Sequence, residues 1–482
     1  MLSYIGDEAL KAIKDLVLQH GGKAVDLGAG LLKPQTDDDL IAQLNSAEAK
    51  NPKAHNSVIS DKPHGVFFGK QYGRYVIKPE EMDGHVMVIG TPGSGKSSCI
   101  AIPTLRNWQG SVFAIDIKGE LYANTHKHRQ NIKVFSPQNE DAPFGYNPYF
   151  FLEHSDNKAQ EARAIAQSII SLPPNIKDTF WIESAQTILT GAILHYHYCG
   201  CTFIRTLEEI LDQEAKALLK IIADSGEIKA ARCVRNCVNM DDKTMMSIFP
   251  HMTNAIEAIV NNDKLVAALS KENAVTPEDL ENGQDVYIQI PAELLSQWKS
   301  LVTLIVNQFI TFFKKRKEED KNNPQKGKNR PILMLLDEFP MLGKIPDIVT
   351  DALPILRSKQ ITVCLIAQSL AQLELIYGRT ARKVIADTCA FKAVLGATDA
   401  ETQKYFAQLV GTYEKLKNQR SKSFNPINVQ SGSGVQSSFE DNRPIIKPEE
   451  FASLTDIVLL YPLPFNFCRV QKQPYWRNVN KP

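Results

Sequence analysis

Short, continuous apolar runs recur along this chain, and several end in residues that carry chemistry. His85-Val86-Met87-Val88-Ile89 leads into glycines, and Ser111-Val112-Phe113-Ala114-Ile115 ends at Asp116. Ile132–Phe135, 285–291, 331–337 and Ile361–Ala367 share this texture. Apolar runs of about four to eight residues without alternation predict strands buried on both faces, as in a parallel sheet. Residues 56–84 hold Gly65, Gly69, Gly73 and Gly84 among aromatics and valines, which predicts a β-hairpin leading into the first of these strands.

Between 152 and 282 the period changes. Apolar residues return at three- and four-residue spacing over 159–172, 180–198, 206–225 and 244–260, which predicts helices. Stretch 301–313 predicts one more buried helix. Leu2, Ile5, Leu10, Ile13, Leu16 and Val17 give the N-terminus an amphipathic helical face, expected to pack on its own domain. The expected organisation is an N-terminal helical segment over 1–55, an α/β domain in two parts over 56–151 and 283–482, and an inserted all-alpha domain over 152–282.

Composition narrows this picture only slightly. The chain has 482 residues, is 43% hydrophobic and 23% charged, and carries a net charge of +1. Contact with nucleic acid must therefore come from local basic surface rather than from global charge. No apolar stretch reaches the roughly 18 residues of a membrane-spanning helix. Asp7, Glu8 and Lys11 interrupt the N-terminus too early for a signal peptide. The eight cysteines are dispersed, as in a reducing compartment. His195, His197, Cys199, Cys201, Cys233 and Cys237 do not follow a common zinc spacing and read as buried free thiols with nearby histidines.

The sharpest chemistry lies in Gly90, Thr91, Pro92, Gly93, Ser94, Gly95, Lys96, Ser97 and Ser98, a full GxxxxGK[ST] loop between a strand and Ile100-Ala101-Ile102, a plausible first helical turn. Gly90 and Gly95 allow a tight turn whose N–H groups aim inward to cradle phosphates. Lys96 adds a point charge, and the Ser97 hydroxyl can ligate Mg²⁺.

A second half-site closes the strand at 331–337. Acids at the C-terminal end of a parallel strand sit where ligands bind in open α/β sheets. Asp337 can hold Mg²⁺, and Glu338 can polarise the attacking water. Ile361–Ala367 ends in Gln368, placed to sense a γ-phosphate through the lytic water. Arg357, just before that strand, is a candidate arginine finger for a neighbouring subunit's nucleotide; the alternative is a solvent-facing arginine at a helix end. The loops 314–330 and 415–443, the second with Lys417, Arg420 and Lys422, read as solvated surface, with contact to a DNA backbone as the alternative.

With these residues in hand the chain resembles the type IV coupling proteins of the TraG/TraD-like family. The blocks are GTPGSGKSSCIAIPTLRNWQGSVFAIDIKGELY (90–122), GYNP (145–148), DTFW (178–181), LLDEFPMLGKIPDI (335–348), LIAQSLAQLELIYG (365–378) and RPIIKPEEF (443–451). The resemblance implies an α/β, RecA-like P-loop NTPase domain with an inserted all-alpha, substrate-recognising domain. It implies an ATP- and Mg²⁺-dependent ATPase, usually a homo-hexamer, at the cytoplasmic mouth of a secretion channel. Its partners would be DNA, a relaxase–DNA complex and channel components. Lys96 and Ser97 would bind phosphate and metal, Asp337 the metal and Glu338 the water, with Gln368 as sensor and Arg357 acting in trans. Asp116, Lys118 and Glu120 match a family block without an assigned chemistry.

Most members carry N-terminal transmembrane helices, and here none is expected before Gly90. That predicts either membrane attachment through a partner or a soluble variant. Two other activities fit the same motifs: delivery of protein effectors, and soluble double-stranded DNA translocation.

Overall fold

The computed structural model describes residues 51–172, 178–318, 329–345, 348, 352–414, 417–420, 435–438, 442–462 and 467–477. The expected N-terminal amphipathic helix, Lys422 and the centre of the 314–330 loop lie outside these residues. So do the side chains of Lys417 and Arg420.

The chain enters through a small antiparallel sheet of β1 (Ile59–Ser60), β2 (Val66–Gln71) and β3 (Arg74–Lys78), in the order β1-β3-β2. The expected hairpin is β2–β3. Its two-residue turn, Tyr72-Gly73, has φ of 48° and 82°. Two positive φ angles give a turn whose twist matches that of the strands it joins.

The strands that follow are β4 (Val86–Ile89), β5 (Ser111–Asp116), β6 (Ile132–Phe135), β7 (Asp285–Gln289), β8 (Ile332–Leu336), β9 (Ile361–Ala367) and β10 (Phe391–Val394). Two short pairs come next. β11 (Thr412–Glu414) pairs with β14 (Asn442–Pro444), and β12 (Lys417–Arg420) pairs with β13 (Val435–Ser438). β15 (Ile457–Leu460) and β16 (Phe467–Val470) complete a nine-stranded sheet in the order β16-β15-β10-β4-β9-β8-β5-β7-β6. From β10 to β6 every pairing is parallel, and β15 and β16 add an antiparallel edge.

The continuous apolar runs are explained by burial on both faces. Met87, Ile89, Phe113, Ile115, Met334, Leu336, Val363 and Leu365 face one core. Their neighbours Val86, Val88, Val112, Ala114, Leu333, Leu335, Cys364 and Ile366 face a second core, shared with Ile100, Leu105 and Trp108. The strand period of two assigns alternate residues to opposite faces, so both sets of positions favour apolar side chains, and polar exceptions such as Thr362 and Ser111 are buried with hydrogen-bond partners.

Between β6 and β7 the chain is helical, with Lys158–Ile169, Phe180–Tyr198 and Asp242–Val260 as its longest helices. Phe180–Tyr198 is buried over most of its length and packs on Lys158–Ile169, Ile228–Val234 and Asp242–Val260. Gly191 lets Ile228–Val234 approach closely. A Cβ there would lie 3.1 Å from Cys233 Cβ and 3.2 Å from Ala230 O. Asn157, Thr202, Asp241 and Asn262 cap helix N-termini with their side chains, each worth about 1 kcal/mol.

The helix expected over 206–225 is two helices, Phe203–Leu211 and Ala215–Ala223. The polar triplet Asp212-Gln213-Glu214 turns the chain so that Leu207 and Ile210, then Leu218 and Ile222, are all buried. The core of the helical insertion runs without a break into one face of the sheet, through Leu295–Lys314.

Candidate nucleotide site

Strand order brings the site together. β9 lies between β4 and β8, so the loop after β4 and the acids after β8 flank the end of β9 at one edge of the sheet. Gly90 N–H donates to Ala367 O at 3.2 Å, fastening the loop to β9.

The helix after the loop begins earlier than Ile100. It opens at Lys96 with a wide turn in which Ile102 N–H reaches Ser97 O, five residues back, before Ile102–Asn107 settles into α geometry. Gly95 caps it with φ 100°, a left-handed conformation that favours glycine. A Cβ on Gly90 would lie 2.4 Å from Ser94 Oγ and 3.1 Å from Lys96 Cγ, so only glycine lets the loop close.

Lys96 is buried, and its Nζ donates to Gly90 O at 2.7 Å and Thr91 O at 3.3 Å. Burial lowers its pKa, while Glu338 and then Asp337 draw it back up. Ser94 Oγ is buried without a partner. A tight loop, a buried cation and an orphaned hydroxyl fit an anionic, oxygen-rich ligand. Ser97 stands at the loop's end as expected.

Asp337 and Glu338 follow β8 and are both buried. Asp337 Oδ1 accepts from Glu338 N–H at 3.0 Å. Burial first, and the Glu338 charge second, push the Asp337 carboxyl up to about 6. Glu338 has φ 47° and ψ 43°, a left-handed backbone that costs a residue with a Cβ about 1–3 kcal/mol and that clusters at functional sites. Gln368 Nε2 donates to Glu338 Oε2 at 3.2 Å. Sequence alone placed Gln368 on a neighbouring strand; the structure makes that neighbourhood a contact.

Arg357 ends helix Leu353–Arg357 and is exposed. It precedes β9, whereas the phosphate loop lies beyond the other end of that strand. With seven residues in β9 at about 3.3 Å each, Arg357 stands on the order of 20 Å from its own chain's loop.

Three further residues shape this region. Lys118 Nζ lies 3.6 Å from Glu338 Oε1. Asp116 accepts from Leu121 N–H at 3.2 Å and Tyr122 N–H at 2.9 Å, holding the start of helix Glu120–Thr125. Arg129 is the third: its guanidinium pairs with Asp285 and donates to Leu105 O, Trp108 O and Gly110 O. It thereby joins the end of the loop helix to β5 and β7. The Asp-x-Lys-Gly-Glu block was visible in the sequence, but the pairing of β5 beside β8 is what gives Lys118 a target. Nothing local marked Arg129. Beside Lys118 a cleft of about 420 Å³ opens between the ends of β5, β6 and β7, lined by Asp116, Gly119, Ser136, Gln289 and Glu293.

In the cysteine–histidine cluster, His195 Nδ1 shares a hydrogen bond with Ser225 Oγ at 2.8 Å, and its Nε2 faces Cys199 Sγ at 3.8 Å. Among the described residues no group of three or more His, Cys, Asp or Glu side chains converges to hold a metal. No helix among them is long and apolar enough to cross a membrane.

Known proteins resemble this chain. VirD4 of Agrobacterium fabrum is 25% identical over 407 residues, which cover 81% of this chain and 59% of VirD4. TraG of Escherichia coli is 23% identical over 476 residues, covering 91% of this chain and 73% of TraG. This chain thus spans 59% of the length of VirD4. Among solved structures, the bacterial conjugative coupling protein TrwBdeltaN70 superposes with a TM-score of 0.62 at 16% identity, over 81% of this chain and 84% of that one. TrwB in complex with ADP and Mg²⁺ superposes with a TM-score of 0.60 at 17% identity, over 81% and 85%. The fold is that of TrwB, an α/β, RecA-like P-loop NTPase domain with helices inserted. The family described as type IV secretory system conjugative DNA transfer matches residues 35–461, and the chain belongs to that family.

Proposed function

We propose that this protein is an ATP-driven coupling protein that recruits a relaxase–DNA substrate to a type IV secretion channel and powers its transfer. The observation that carries the reading is the meeting of two half-sites at one sheet edge: the closed loop around Lys96, and the buried Asp337–Glu338 pair touched by Gln368.

In this reading the loop N–H groups and Lys96 hold the β- and γ-phosphates of ATP. Ser97 and Asp337 would hold Mg²⁺, which would neutralise phosphate charge. Glu338 would accept a hydrogen bond from the attacking water and take up its proton as the water oxygen bonds to the γ-phosphorus and the bond to the β–γ bridging oxygen breaks, its electron pair leaving with ADP. Gln368 aligns the carboxylate and the water. Arg357 serves the nucleotide of a neighbouring subunit in a homo-hexamer, which accords with its distance from its own loop. Attachment at the inner face of the cell membrane, through a channel partner, belongs to the same proposal.

The test is ATP hydrolysis by purified protein against added single- and double-stranded DNA, with Glu338→Gln as control. The expected result is hydrolysis stimulated by DNA and lost in the control. Hydrolysis indifferent to DNA would instead favour delivery of protein effectors. Hydrolysis stimulated by DNA without capture of a relaxase would favour double-stranded DNA translocation.

A further inference from the structure

Both carboxylate oxygens of Glu338 are held, and the two contacts come from different strands. Gln368, at the end of β9, donates to Oε2 at 3.2 Å. Lys118, on the turn after β5, faces Oε1 at 3.6 Å. The carboxylate is almost wholly enclosed, with 6% of the Glu338 side chain exposed, whereas Lys118 is 53% exposed.

An ion pair with one exposed member is screened by solvent and contributes little to stability. The contact therefore matters for where it holds Glu338 rather than for how much it stabilises the fold. The backbone around Lys118 is tied down on its C-terminal side. Gly119 turns the chain at φ 69°, and Asp116 fixes the following helix through two backbone N–H groups.

We infer that Lys118 is a positioning residue, which fixes the Glu338 carboxylate from the side opposite Gln368 so that it meets the attacking water in one orientation. The inference rests on the ATPase reading above. Its physical basis is preorganisation: a catalytic carboxylate must be held by neighbours whose own geometry is locked, because small displacements lose large factors in rate. The competing role, direct binding of phosphate by Lys118, predicts different kinetics.

The experiment uses the full chain with Lys118→Met, Lys118→Gln and Lys118→Arg, in wild-type and Glu338→Gln backgrounds. It measures Mg-ATP turnover, single-turnover hydrolysis and the affinity of a fluorescent ATP analogue. Lys118→Met and Lys118→Gln should lower kcat at least about tenfold with KM changed less than about threefold. Lys118→Arg should retain most of the rate. In the Glu338→Gln background, where hydrolysis is lost, neither neutral variant should weaken binding of the ATP analogue, because Lys118 acts through Glu338 and not on the nucleotide. Full activity in the neutral variants would overturn the inference. So would a rise in KM and in the analogue's dissociation constant matching the loss in rate, or weaker analogue binding beside Glu338→Gln; either would mark a phosphate ligand. If the ATPase reading itself fails, the wild-type protein will show no hydrolysis before any variant is compared.

Discussion

Gln368 Nε2 donates to Glu338 Oε2 across 3.2 Å, joining the end of β9 to the end of β8. The bond ties a strand end to the Glu338 carboxylate, and if that carboxylate meets the attacking water, as proposed, loss of the bond should act on the chemical step. Gln368→Ala should lower kcat roughly ten- to hundredfold with little change in KM, as expected for an interaction expressed in the transition state. Steady-state kinetics with Mg-ATP check this. An equal rise in KM would place Gln368 on the nucleotide instead.

Arg357 stands at the opposite sheet edge from its own phosphate loop. If it serves a neighbour's nucleotide, Arg357→Ala and Lys96→Ala should each be inactive alone, yet regain part of the activity when mixed. A mixed ring contains interfaces in which an intact loop from one subunit meets an intact arginine from the next. Hydrolysis measured across mixing ratios checks this; a flat line at zero would exclude the trans role.

Arg129 and Asp285 form a buried pair, with 8% and 3% of their side chains exposed. Burial pushes the Asp285 carboxyl up, and the Arg129 guanidinium pulls against that. Three backbone carbonyls complete the donor set of Arg129. Arg129→Ala leaves a buried carboxylate and those carbonyls unpaired, which costs about 3–5 kcal/mol. The expected result is a large fall in denaturation midpoint, or insoluble protein. Lys cannot reproduce the planar fork, so Arg129→Lys should recover only part of the loss.

His85 is fully buried at the start of β4. Its Nδ1 accepts from Val363 N–H at 3.0 Å, so Nε2 carries the proton and donates to Leu353 O. Burial pushes its pKa down to about 4, and the nearby cations Lys78 and Arg357 press in the same direction. The stabilisation from keeping this ring neutral is complete above the ordinary value of 6.5 and is lost as the pH falls towards 4. Over that window the loss is on the order of 3 kcal/mol. Denaturant titrations at stepped pH should reveal it, and His85→Gln should flatten the slope while lowering stability at neutral pH.

Much of this protein was legible in its sequence, and the reason is locality. The buried strands show as unbroken apolar runs such as Ile361–Ala367, because burial on both faces acts on each residue in turn. The phosphate loop shows because Gly90, Gly95 and Lys96 act within one turn of backbone. The acids Asp337 and Glu338 are marked by the run that ends in them.

Tertiary structure decided the rest. Only the order β4-β9-β8-β5 sets Gln368 against Glu338 and brings Lys118 across from the other side. Strand order depends on how two cores are filled at once, and no single run of residues records that. The break at Asp212-Gln213-Glu214 and the clasp of Arg129 on four partners belong to the same class. The sequence determined which residues are candidates for the chemistry. The packing of the sheet determined which of them touch, because each such contact joins strand ends that are distant along the chain.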